Sequence, residues 1–139
     1  MNLRVRNYYY LIAGLLALLF AATHAWNGQT GLLATLESNS QSMDTRIVFT
    51  YVWHIITSEN LVFGFAFLFM SLQSDQSKIR FAARMIVSIL IIRLMVIVGV
   101  TAFHDVSALM DTLIDSVAIV IYVALIIRGT KNELITRRK

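Results

Sequence analysis

Thr50-Tyr-Val-Trp-His-Ile-Ile-Thr-Ser-Glu-Asn60, followed without a break by Leu61-Val-Phe-Gly-Phe-Ala-Phe-Leu-Phe-Met70, is the stretch on which the reading of the fold turns. As a helix rising 1.5 Å per residue it covers about 30 Å, the thickness of a hydrocarbon core. Its second half is apolar, whereas its first half carries a histidine, a carboxylate and an amide. An ionisable group at membrane depth costs roughly 2.5–3.5 kcal/mol on insertion scales, so it calls for a partner and often has a task. The rest of the chain offers matching groups in His24, Arg93, His104, Asp111 and Asp115.

Composition carries this character through the whole chain. Hydrophobic residues make up 58% of the 139 and charged residues 14%, and the mean hydropathy is +0.70. A water-soluble domain of that size cannot hide so much apolar surface, so the excess faces lipid. Each crossing needs about 20 apolar helical residues, and four such segments are legible, at residues 8–26, 47–72, 81–103 and 109–127. They take up nearly the whole chain and leave no room for a separate soluble catalytic domain. The expected fold is all-α: a single integral membrane domain over residues 1–139, folded as an up-down-up-down bundle of four transmembrane helices.

The chain has no cysteine, which removes thiol–disulfide relays, thiolate zinc sites and haem attachment through Cys. It also has no proline, so nothing forces the interrupted helices that many transporters use at a midplane site. The two halves share no pattern that would suggest an inverted repeat.

The net charge of +4 does not point to nucleic acid, because topology explains where the cations stand. Arg4 and Arg6 precede the first segment, and Lys78, Arg80 and Arg84 lie between the second and third. Arg128, Lys131, Arg137, Arg138 and Lys139 follow the fourth, leaving only Arg46 on the other side and Arg93 within a span. The positive-inside rule makes the basic side cytoplasmic, with both termini there and the chain in the inner (plasma) membrane of a bacterium. Residues 4–25 also have the outline of a signal peptide, but the apolar run is long for one and is expected to be retained as the first helix.

Ala13, Ala17 and Ala21 recur every four residues, a spacing of small side chains that lets helices approach closely. His24 stands three residues beyond Ala21 on the same face. Residues 27–46, rich in Asn, Ser, Gln and Gly, read as the only long connector, with residues 31–36 able to form a short surface helix. Gly129 is expected to end the fourth helix. On that helix Asp111 and Asp115 are i,i+4 and stack on one face.

The run from Tyr10 to His24, continued by Gly28, and the later group Val52-Trp53-His54-Ile-Ile-Thr57 resemble small bacterial inner-membrane proteins of four helices. These carry a His near the end of helix one and a Trp-His pair in helix two. The resemblance implies the topology and draws attention to His24 and His54; it implies no activity.

Three functional readings follow from the polar inventory. The first is a non-enzymatic ligand- or metal-binding or accessory protein with an outward-facing His/Asp pocket. His24, His54, His104 and Asp111 would be the metal ligands, for a divalent metal in first place and haem b in second. No local spacing such as H-x₃-H supports this, since each histidine comes from a separate helix. The second is a small proton- or cation-coupled transporter with Glu59 and Asp115 titrating and Arg93 as counter-charge. Arg93 could equally form a structural pair with Glu59 or with Asp115. The third is a metal-dependent membrane enzyme, for which no nucleophile–base pair appears. The expected partners are the lipid bilayer and either a second copy of the chain or another membrane subunit.

Overall fold

The computed structural model describes residues 4–39 and 41–136, and all of their secondary structure is helical. Helix α1 runs Tyr8–Asn27 and passes through a π-helical turn, Gly28–Leu32, into the short α2, Leu33–Ser38. Helix α3 is Met43–Leu72, α4 is Gln76–His104, and a 3₁₀ turn, Val106–Met110, leads into α5, Leu113–Thr136. Four helical stretches are long and apolar enough to cross a membrane: Tyr8–Leu36, Met43–Leu72, Lys78–His104 and Leu113–Lys131. The chain is therefore, in class, a small multi-pass membrane protein. In the Lys78–His104 span only 11% of the most apolar window is buried within the protein. Ile92, Met95, Val96, Val100 and Phe103 stand exposed there, a surface suited to lipid rather than water.

The chain divides into two compact units, one comprising Gly14–Phe69 and the other the chain up to Ala13 together with Met70 onward. Within Gly14–Phe69, α1 and α3 pack antiparallel through glycines. A methyl placed on Gly14 would come 2.8 Å from Leu68 Cγ, and one on Gly64 would come 2.6 Å from Leu18 Cδ2 and 3.2 Å from the Gly14 carbonyl. The backbones meet where these side chains are missing. Ala17, Ala21, Phe63 and Phe67 are buried alongside, so the expected small-residue face is the one that packs.

In the other unit α4 and α5 form the pair. Ile79, Ala83, Ile86 and Leu90 on α4 and Tyr122 and Ile126 on α5 are buried, at the three- and four-residue steps of one helix face. Asn7 ties the ends together. Its Oδ1 accepts from the Tyr9 and Tyr10 amides at 3.0 and 3.2 Å, capping α1. Its Nδ2 donates to the Gly129 carbonyl of α5 at 3.0 Å, and the Arg6 and Asn7 amides both donate to the Ser71 carbonyl at the end of α3.

Three sequence expectations need correction. The connector at residues 27–46 is mostly helix, with α2 ending at Ser38 and α3 starting at Met43; the polar composition of Gly28–Ser38 did not break the helix because no proline or αL position interrupts it. Gly129 does not end the last helix, which continues to Thr136. It serves packing instead, since a Cβ there would sit 2.7 Å from Tyr10 Cε1. Asp111 and Asp115 do not both lie on the fourth long helix, which starts at Leu113 rather than near residue 109. The 3₁₀ turn and the two residues after it put Asp111 before α5, while Asp115 lies in its first turn.

Candidate functional site

A set of polar contacts in Gly14–Phe69 lies where the π-helical turn meets α3. A π turn takes in an extra residue and widens the helix locally, a distortion that recurs at functional sites. Here it brings Gly28 and Gln29 onto α3. Gly28 is buried because the Trp53 indole occupies the space a Cβ would need. Only glycine lets the indole reach that position. The Trp53 ring stacks on His24, with centroids 4.2 Å apart and planes within 5°. Its Nε1 donates to the His24 carbonyl at 2.8 Å. One residue on, Gln29 Nε2 lies 3.0 Å from His54 Nε2. The contact ties the carboxamide of the π turn to the imidazole of α3.

Beside this cluster opens a cleft of about 190 Å³, lined by Gln29, Leu33, Ala34, Leu36, Arg46 and Thr50. The π turn supplies Gln29, α2 the apolar wall, and the first two turns of α3 the guanidinium and hydroxyl. Thr50 donates to the Arg46 carbonyl at 2.8 Å, so its proton is committed and its oxygen faces outward only as an acceptor. One cation, one amide and three aliphatic side chains make a surface that can hold a ligand. They supply no nucleophile with a base beside it.

The remaining sequence candidates are distributed as follows. Glu59 is half-buried on α3 in the same unit, and Arg93 is half-buried on α4 in the other; neither side chain is free. His104 is exposed at the end of α4, its Nδ1 3.0 Å from the Val100 carbonyl. Asp111 and Asp115 are exposed as well. Of the four proposed metal ligands, His24 and His54 are engaged with Trp53 and Gln29. Among the described residues, no group of three or more His, Asp or Glu side chains is placed to hold a metal ion. Between α4 and the 3₁₀ turn, Asp105 accepts from the Ser107 hydroxyl at 2.7 Å and the Ser107 amide at 2.9 Å. These bonds, the hydroxyl's first, hold its carboxyl below the usual carboxylate range.

Sequence reasoning passed over Gly28, Gln29 and Trp53 as site residues. The signal available was the Gly28-Gln29 pair four and five residues after His24, matched to adjacent Trp53 and His54. No protein family, curated protein or solved structure matches this chain, so the roles of these residues rest on their own geometry.

Proposed function

We propose that this chain is a non-enzymatic binding protein of the bacterial inner membrane, and that the Gln29–Arg46–Thr50 cleft is its binding site. The observation that carries the reading is the convergence of a π-helical turn, the Gln29–His54 contact and the Arg46 guanidinium around one cleft. By the positive-inside rule the basic segments are cytoplasmic and the cleft opens on the periplasmic side, since Arg46 is the only Lys or Arg between Arg6 and Lys78.

Two measurements test this. The chain has no native cysteine, so Ser38→Cys and Ser74→Cys each give a single label. Ser38→Cys is expected to react with an impermeant maleimide in intact cells, and Ser74→Cys only after lysis; the reverse pattern overturns the orientation. Native mass spectrometry of the detergent-extracted protein is expected to show a small-molecule adduct that Ala34→Trp, which fills the cleft, removes. An adduct of equal occupancy in that variant, or none in the wild type, overturns the binding site.

A further inference from the structure

We infer that the basic end of the α4–α5 unit is a docking surface for the head groups of anionic phospholipids, centred on Arg6 and Arg128 and extended by Arg84. It is separate from the cleft at Gln29, and the inference does not depend on the binding reading given for that cleft.

Charge is divided unevenly along the chain. Residues 1–9, 73–84 and 128–139 hold ten of the twelve Lys and Arg and only two carboxylates, Asp75 and Glu133. Asp75 stands 3.8 Å from Lys78. Even with both carboxylates fully paired, an excess of eight cations remains. The rest of the chain has Arg46 and Arg93 against six carboxylates, an excess of four anions. Charge of one sign on this scale calls for counter-charge from outside the protein.

The fold concentrates part of that charge at one joint. Asn7, 2% exposed, donates through Nδ2 to the Gly129 carbonyl at 3.0 Å, and the Tyr10 and Thr130 hydroxyls lie 3.2 Å apart beside it. Arg6 and Arg128 are the chain neighbours of the two residues in the Asn7–Gly129 bond, and both are exposed. Arg6 is held there by its own backbone, since its amide donates to the Ser71 carbonyl at 2.8 Å. Two guanidinium groups thus flank one buried bond. Glu133, the one carboxylate of the terminal segments, cannot neutralise Arg4, Arg6, Arg128 and Lys131 together. A phosphate relieves the repulsion between such groups, and the planar fork of arginine presents paired donors to two of its oxygens.

Arg84 places the surface at head-group depth. It stands twenty residues before His104, the last residue of α4. At 1.5 Å per residue that is about 30 Å, one hydrocarbon core. Lys78 lies on the same helix about 9 Å farther out, so the two cations bracket a head-group layer roughly 5–8 Å deep. Arg84 is exposed between Phe81 and Met85, themselves 68% and 50% exposed. On such a face the guanidinium extends along apolar surface to the polar layer. Tyr8, next to the Asn7 joint, is also 68% exposed. Exposed aromatic rings among the cations fit an interface with lipid, whereas an acidic peptide or free phosphate would leave those rings in water.

The test uses the full chain in mixed micelles of a neutral detergent. Phosphatidylglycerol is the probe, with phosphatidylcholine, inorganic phosphate and a glutamate-rich peptide as comparisons. Binding is read from adduct intensity in native mass spectrometry and from lipid-dependent thermal stabilisation. The wild type is expected to prefer phosphatidylglycerol to phosphatidylcholine, less so as salt is raised. Arg6→Gln with Arg128→Gln should lower that preference about fivefold for each cation removed, and Arg84→Gln by about the same factor. Arg138→Gln with Lys139→Gln removes equal charge from the tail and should lower it less; an equal loss overturns the assignment to Arg6 and Arg128. Circular dichroism and lipid-free melting report folding separately. If the glutamine pair does not fold, Arg6→Lys with Arg128→Lys carries the test: a partial loss is expected, and no loss overturns recognition by the guanidinium fork. Equal binding of phosphatidylcholine overturns the anionic assignment. Competition by inorganic phosphate as strong as that of phosphatidylglycerol assigns the site to a free anion, and displacement by the peptide assigns it to an acidic protein; either overturns the lipid. Loss of the lipid preference while the adduct sensitive to Ala34→Trp persists would sink this inference and leave the cleft standing.

Discussion

Gly28→Ala is a small change placed at the tightest contact of the candidate site. The added methyl would fall on the five-membered ring of Trp53, against Nε1 and Cδ1. That ring cannot retreat without consequence, because its face is stacked on His24 at 4.2 Å and its N–H is bonded to the His24 carbonyl at 2.8 Å. Overpacking of this kind costs about 1–3 kcal/mol. Displacing the indole also forfeits a hydrogen bond worth roughly 0.5–1.5 kcal/mol and part of a ring contact worth roughly 0.5–1.5 kcal/mol. Alanine's higher helix propensity returns up to about 1 kcal/mol. The net expectation is a loss of about 2–4 kcal/mol. The assay is reversible unfolding in mixed micelles, followed by tryptophan emission in a Trp26→Phe background so that Trp53 alone reports. Gly31→Ala is the control, since nothing lies within 4 Å of a Cβ at that position, and it should be neutral or stabilising. If Gly28→Ala unfolds within about 0.5 kcal/mol of the wild type and leaves Trp53 emission unchanged, the indole does not occupy that space and the site as described is wrong.

Asn7→Ala removes both the cap of α1 and the bond to the Gly129 carbonyl; a stability loss of about 1–3 kcal/mol is expected in the same assay. Gly64→Val pushes a branched side chain at Leu18 and the Gly14 carbonyl and should cost more than Gly99→Ala, where the space is open and a gain of up to about 1 kcal/mol is expected. The ordering of the Asp105–Ala108 turn should depend on acid pH. The Asp105 pKa is lowered in the folded chain, so its contribution is present above the unfolded carboxylate value and is lost as pH falls through the lower folded one. The Ser107 amide resonance would follow that loss, and Asp105→Asn should flatten its pH dependence.

The residues themselves determined the class of this protein and the place of its helices. Long apolar runs and the lack of proline are linear properties, and a helix that crosses a membrane satisfies its backbone within itself. The Ala13–Ala17–Ala21 face was legible for the same reason, since its period is set by one helix alone. Side-chain partnerships were not. A linear reading groups His24, His54, His104 and Asp111 by type and approximate depth. The packing pairs His24 with Trp53 and His54 with Gln29, and those pairs depend on rotation about the helix axes. Three features could be seen only in the folded chain: a π-helical turn, the neighbours that the backbone admits at its glycines, and a 3₁₀ turn that leaves Asp111 outside α5. A change of one residue per turn moves a side chain to another face of its helix. The apolar spans could therefore be counted from the sequence, whereas the partner of each polar group was decided by tertiary contact.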